Sequence, residues 1–227
     1  MLLDLFFPKF CLGCNKPGIY LCLSCEKKLQ YLHHDRCAYC KKSSLYGFTH
    51  PPCRRESGVE STMSIFHYNP LFKKIIKTVK YGLATKVLDE LFLSIDPTAL
   101  YKLTTYKKLE GEYYLHPIPL HKGRLRERGF NQALLISRFF QKFVDVPILE
   151  VLERTKETTS QARISSLNER WQNLRGAFTL TKKDSIYNKD IILIDDVMTT
   201  GSTILSAAYT LKKNGARTVH ALTLAHG

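Results

Sequence analysis

The chain has 227 residues, 44% hydrophobic and 24% charged, which suits one ordinary globular domain with a small satellite and excludes a disordered chain. A formal charge of +14 and an isoelectric point near 9.5 favour a polyanionic partner, either nucleic acid or a phosphorylated small molecule, although a lysine-rich solvated surface gives the same charge. No apolar run approaches the roughly 20 residues that a bilayer crossing needs, so a spanning segment is excluded and the chain is assigned to the cytoplasm, with peripheral membrane contact left open.

The opening MLLDLFFPKF is apolar but short, contains Asp4 and lacks both a basic leader and a small-residue cleavage site, so it reads as neither signal nor anchor. All seven cysteines follow within residues 11 to 53. They form Cys11-Leu-Gly-Cys14, Cys22-Leu-Ser-Cys25 and Cys37-Ala-Tyr-Cys40, while Cys53 follows His50-Pro-Pro. Two residues between ligands let one tight turn aim both side chains at a tetrahedral zinc, and two such turns close a structural site. The count suggests two zinc ions: Cys11, Cys14, Cys22 and Cys25 around one, and Cys37, Cys40, His50 and Cys53 around the other. An interleaved pairing fits the spacing too, and the second site stands only if His50 is its fourth ligand. An odd cysteine count in a cytosolic chain argues against a disulfide framework. His33 and His34, between the two groups, read as surface residues. A module this small would owe most of its folding free energy to metal, on the order of 10 kcal/mol, and four protein ligands leave no open position for catalysis.

Composition shifts between Glu56 and Ser61, which divides the chain into a zinc-ribbon module over 1–57 and a second domain over 58–227. Residues 70–95 carry apolar positions at helical spacing in two runs broken at Gly82, with Lys73, Lys74, Lys77 and Lys80 on other faces. This predicts a basic amphipathic helix and then a second helix. Tyr113 to Leu120 reads as a strand, HKGRLRERGF over 121–130 as a basic loop, Asn131 to Phe143 as a helix and Ile148 to Leu152 as a short strand. The stretch from Arg154 to Phe178 is long, polar and weakly periodic, the pattern of a lid or binding loop. A strand over 190–195, a helix over 202–214 that stops at Gly215 and a strand over 217–224 close the chain. Alternating strands and helices predict an α/β fold, a parallel sheet with helices on both faces.

The strand over 190–195 runs into the helix over 202–214 through IILIDDVMTTGSTI, with its polar residues in the strand-to-helix turn. Ligands of an open parallel sheet settle outside the carboxyl ends of its strands. There Thr199, Thr200, Gly201, Ser202 and Thr203 offer hydroxyls and backbone N–H groups at a helix start, where orphan donors and the helix dipole favour an anion. Gly201 lets the backbone come close without a clashing side chain. Asp195 and Asp196 repel phosphate but suit hydroxyls or Mg²⁺, so acids beside such a cradle fit a sugar phosphate. The same residue types also cap helices at ordinary strand ends.

IILIDDVMTTGST resembles the phosphoribosyl pyrophosphate loop of type I phosphoribosyltransferases: an apolar strand, two adjacent acids and a Thr/Gly-rich loop. Together with PIPLHKGRLRERGFNQA, RTKETTSQARISSLNERWQNLRGAF and the N-terminal cysteine pairs, it is similar to the ComF family of competence proteins over nearly the whole chain. The resemblance implies a phosphoribosyltransferase-like sheet in which Asp195 and Asp196 hold the ribose 2- and 3-hydroxyls. Thr199, Thr200, Gly201, Ser202 and Thr203 would bind the 5-phosphate of phosphoribosyl pyrophosphate or ribose 5-phosphate. It puts the pyrophosphate loop at HPIPL and HKGRLRERG, where Lys122, Arg124, Arg126 and Arg128 suit anionic oxygens. A hood-like loop falls over 154–178, with Gln161, Arg163, Arg170 and Asn173 as polar candidates, Arg163 also for the diphosphate. Trp171 there is either a base-stacking surface or a core aromatic.

Two functions follow. The resemblance implies a role in natural transformation, in which single-stranded DNA enters the cytoplasm. The basic helix over 72–80, the zinc module and the arginine loop would then track a phosphate backbone, with Tyr39, Phe72 and Tyr81 as stacking surfaces and competence or recombination proteins as further partners. The alternative is an active phosphoribosyltransferase that uses Mg²⁺ and an acceptor the sequence does not identify, since no base-specific pocket or catalytic residue can be read. The zinc module favours the DNA-handling reading, because salvage phosphoribosyltransferases do without one.

Overall fold

The computed structural model describes residues 8–81, 85–107, 111–156, 176–181 and 183–227. Gly82, Gln161, Arg163, Arg170, Trp171 and Asn173, singled out above, lie outside them. The strands are β1 (Ser61–His67), β2 (Tyr113–Pro117), β3 (Leu152–Arg154), β4 (Phe178–Leu180), β5 (Asp190–Met198) and β6 (Thr218–His226). The longer helices are α1 (Pro70–Tyr81), α2 (Lys86–Ser94), α3 (Lys122–Arg128), α4 (Gln132–Val144) and α5 (Ser202–Lys213). Strands β1, β6, β5 and β2 pair in that order, all parallel, and β3 and β4 form an antiparallel ribbon.

The predicted α/β architecture is therefore the observed one, and β5 shows its cause. Side chains alternate along a strand. Ile192 and Ile194 enter a core shared with α1, α2 and α4, while Ile191 and Leu193 enter a second core with α5. All four are fully buried, so both faces of the central strand need helical cover. In β6, Leu222 and Leu224 likewise join the first core and Val219 and Ala221 the second.

Two local expectations change. HKGRLRERGF is not a loop, because residues 122–128 form α3. His121 caps it, its Nδ1 accepting from the Gly123 amide at 3.3 Å, and Gly129 closes it in a left-handed conformation, φ 76°. Its only large apolar residue is Leu125, so no apolar stripe announces a helix. Second, β5 runs on to Met198, so Asp195 and Asp196 are strand residues and not turn residues. Alternation then sends them to opposite faces, Asp195 toward the α5 side and Asp196 toward the α1 side. Smaller shifts also occur: β2 ends at Pro117, and near 148–152 a single bridge from Ile148 to Leu115 precedes β3.

Residues 8–57 lie along the outer edge of β1. Leu32 N donates to Ile65 O, His67 N to Gln30 O and Thr49 N to Glu60 O, each at 2.8 Å. An open edge strand is a template for unwanted pairing, and the cysteine-rich segment covers this one. Cys11, Leu21, Cys22, Cys25 and Leu29 belong to the α1-side core, and Ala38 belongs to the α5-side core. Glu90 of α2 accepts from the Tyr20 and Leu21 amides at 2.7 and 3.1 Å, and buried Asp35 accepts from Ser64 N at 3.0 Å and pairs with Lys102 at 3.2 Å. Among the described residues no helix is long and apolar enough to cross a membrane.

Candidate functional site

The cysteine clusters assemble in the sequential pairing. The ligand atoms of Cys11, Cys14, Cys22 and Cys25 lie within 4.8 Å of one another, as do those of Cys37, Cys40, His50 and Cys53. Zn–S bonds of about 2.3 Å in a tetrahedron put sulfurs about 3.8 Å apart. The Cys11–Cys22 and Cys14–Cys22 sulfurs are 3.6 Å apart, so the first cluster fits zinc with little adjustment. In the second, His50 Nδ1 is 3.2 Å from Cys40 Sγ, and Nε2 is 3.2 Å from Ser43 O. A carbonyl only accepts, so Nε2 carries the proton and the Nδ1 lone pair faces the thiols, the orientation of a metal ligand held from behind.

Thiolates bind metal, and each cluster favours one at a first-knuckle cysteine, while burial and then the neighbouring cysteines raise Cys25 and Cys53. Burial opposes ionising Cys11, but the N–H groups of Cys22, Cys14 and Gly13 outweigh it and bring the thiol to about 6. At Cys37 burial is likewise outweighed by the N–H groups of Cys40, His50 and Tyr39, and the thiol again falls to about 6. Gly13 admits no side chain, since a Cβ there would lie 2.5 Å from Cys25 Sγ.

At the carboxyl end of β5, Asp195, Met198, Thr199, Gly201, Ser202 and Thr203 border one small depression. Asp195 is partly buried, and its Oδ1 accepts from Asp196 N at 2.9 Å. Asp196 is buried and forms an ion pair with Lys80, from the last turn of α1. Burial works against both charges of that pair. Coulombic attraction overrides it, lowering the Asp196 pKa and raising that of Lys80. Asp195 moves the other way, well above the ordinary carboxylate value, because of burial and then the Asp196 charge.

The loop after β5 is ordered by its own hydroxyls, with Thr200 Oγ1 2.8 Å from Ser202 Oγ. Gly201, the N-cap of α5, is left-handed at φ 80° and offers no side chain of its own to the first-turn amides, of which that of Ser202 reaches Thr200 Oγ1 at 3.5 Å. A Cβ there would have room, its nearest neighbour being Met198 Sδ at 3.6 Å. The glycine is therefore required by conformation. Gly201→Ala should cost about 1–2 kcal/mol in urea unfolding, the left-handed penalty, and a variant as stable as the parent would contradict this.

The basic candidates divide. Lys122 is exposed and pairs with Glu153 at 2.6 Å, and Arg126 is exposed. Arg128 is buried, donates to Gln132 Oε1 at 2.5 Å, stands 5.9 Å from the Tyr81 ring centroid and feels the Asp196 charge. Arg124 and Arg154 lie within electrostatic reach of each other, and Arg154 also of Asp195. Lys73, Lys74 and Lys77 are exposed on α1, whereas Lys80 turns in to Asp196 and is not part of that solvated face. Phe72 is fully buried in the core and cannot stack on a base; Tyr39 is partly buried with its hydroxyl accepting from Val59 N, and Tyr81 is exposed. Sequence reasoning missed Lys80 and Arg154 as site residues, and also Lys41, whose Nζ donates to Thr200 O at 3.3 Å.

The family description "Phosphoribosyl transferase domain" matches residues 133–227. Competence protein F of Haemophilus influenzae is 29% identical, over 97% of this chain and 98% of its own length. Competence protein ComFC of Streptococcus pneumoniae is 30% identical over 90% of this chain and 86% of its own. DNA utilization protein YhgH of Escherichia coli O157:H7 is 27% identical over 89% and 94%.

Proposed function

This chain belongs to the ComF family of competence proteins, and on that premise we propose that it handles incoming single-stranded DNA during natural transformation, in the cytoplasm, using a pocket that holds a 5-phosphoribosyl group. The observation that carries the reading is the union, at the end of one buried strand, of a partly buried carboxylate at Asp195 with a helix start whose N-cap is the left-handed Gly201. The loop amides and hydroxyls take the 5-phosphate, and Asp195 accepts from a sugar hydroxyl. Asp196 sets the local charge through Lys80 and adds a hydroxyl contact where the ligand reaches it. Exposed Lys73, Lys74, Lys77, Lys122 and Arg126 give the surface its attraction for a strand.

Zinc in both clusters would act as a structural cross-link within the 1–57 module, since each set supplies four protein ligands from residues 11–53. Mg²⁺ would arrive with diphosphate oxygens, because Lys80 already neutralises Asp196 and the chain leaves it Asp195. Arg154 near Asp195, with Arg124 near Arg154, supports a second reading, phosphoribosyl transfer. There a nucleophilic atom of the acceptor would bond to C1 as the C1–O bond breaks, its electron pair leaving on the diphosphate, and these guanidinium groups would stabilise that charge. Pyrophosphate release with a panel of bases and amines separates turnover from binding.

Calorimetric titration with ribose 5-phosphate tests the pocket. Asp195→Ala should weaken binding at least tenfold, the loss of one hydrogen bond to a charged group at about 1.5–3 kcal/mol. A deletion strain of a transformable host complemented with the same variant should transform poorly. Absence of ribose 5-phosphate binding by the unsubstituted protein would remove the pocket, and unchanged transformation would remove its role.

A further inference from the structure

Beside the phosphate-loop candidate, between the second cysteine cluster and the carboxyl end of β1, an open hollow of about 520 Å³ is walled by residues that include His33, His34, Arg36, Lys41, Ser43 and His67. Among the described residues, no carboxylate lines it. Asp35, which could have supplied one, turns inward to Ser64 N and Lys102. His226, at the end of β6, is buried behind the same cations; burial first, then Lys41, Arg36 and His67, hold its pKa near 4, so it stays neutral and adds no charge of its own. The histidines do not form a metal site, because the groups that converge on one point among the described residues are the two cysteine clusters.

The hollow is larger than one phosphate requires and falls within the roughly 300–1,000 Å³ of small-ligand pockets. Its cations are exposed, which makes each weak toward an isolated small anion, but phosphate contacts add along a polyanion through counterion release. Its imidazoles offer flat faces to unpaired bases. Lys41 joins the hollow to the loop over 199–203, since it lines the first and donates to Thr200 O in the second. We infer that the hollow holds the phosphodiester backbone of a single strand whose adjoining phosphate occupies the 199–203 loop. The inference rests on that loop being a phosphate site.

Fluorescence anisotropy of labelled oligothymidylate and oligouridylate, across a salt series with the full chain, tests it. Each phosphate contact on a single strand contributes about 0.7 to the slope of log K against log salt. Arg36→Gln with Lys41→Gln should therefore make the slope shallower by about 1.4, equally for both strands, and saturating ribose 5-phosphate should weaken the unsubstituted protein's strand binding several-fold. If the double variant melts early, Arg36→Gln alone carries the test with an expected change of about 0.7. Parent and variant slopes that coincide would overturn the hollow as a strand site, and a loss confined to one strand would overturn recognition through the backbone. Strand and ribose 5-phosphate binding independently would overturn the link to the loop. A slope that depends on Arg36 and Lys41, in a protein that fails to bind ribose 5-phosphate alone, would instead remove the phosphate-loop reading.

Discussion

Stripping metal from this protein with a strong chelator is expected to unfold the entire chain in one cooperative step, not the cysteine-rich segment alone. Structural zinc contributes on the order of 10 kcal/mol in small modules, and a whole domain of ordinary size has only about 5–15 kcal/mol of stability. Here the metal ligands are not insulated from the sheet. Cys11, Cys22 and Cys25 are buried in the same apolar cluster as Phe66, Phe72 and Ile75, and residues 30–32 hydrogen-bond along β1. Releasing them exposes that core and uncovers the edge of the sheet together. Cys25→Ser should then be more damaging than Cys53→Ser, because Cys25 is fully buried and Cys53 only partly. Circular dichroism melts with and without chelator, with bound zinc counted by mass spectrometry, read both effects. A sheet that melts at the same temperature without metal would refute the coupling.

The two ligand clusters were legible because a repeated two-residue spacing is a local signal, but that spacing admitted an interleaved pairing as well, and it is the fold that brings the ligands together in sequential sets. The parallel sheet was legible because β5 and β6 are apolar on both faces, a pattern that only helical cover explains. Lys80 was not read correctly, although its signal was present. Phe72, Ile76 and Lys80 recur at intervals of four, so the lysine shares the helix stripe of two buried residues and cannot belong to the solvated face. Arg154 carried a weaker sign, since it stands two residues from buried Leu152 on one side of a strand. Nothing in the sequence pointed to Lys41, because its contact with Thr200 spans 159 residues and depends on where the second cysteine knuckle docks.

Lys80→Met is expected to destabilise the protein by about 3–5 kcal/mol, the cost of leaving a buried carboxylate without its partner. The Asp196 side chain is 5% exposed and that of Lys80 26%, so solvent screens the pair little. Removing both charges is a different experiment. Lys80→Met with Asp196→Asn deletes the desolvation cost as well as the attraction, and the double variant should recover most of the loss. The pH dependence follows from the directions of the shifts. Asp196 is depressed below 3.8, so its contribution is present above that value and disappears as the pH falls through the lower folded-state pKa. Lys80 is raised above 10.5, so its contribution is present below that value and disappears as the pH rises through the higher folded-state pKa. Through the neutral range the pair is constant in the parent, but without Lys80 burial raises the pKa of the Asp195 and Asp196 pair, so Lys80→Met should cost less at pH 6 than at pH 8 as the unpaired carboxylates take up a proton. Urea unfolding of the four proteins of the cycle reads all of this. A Lys80→Met protein as stable as its parent would mean that Asp196 is held by its other neighbours, with buried Arg128 the first to test, and the lysine would then be dispensable to the charge balance at the end of β5.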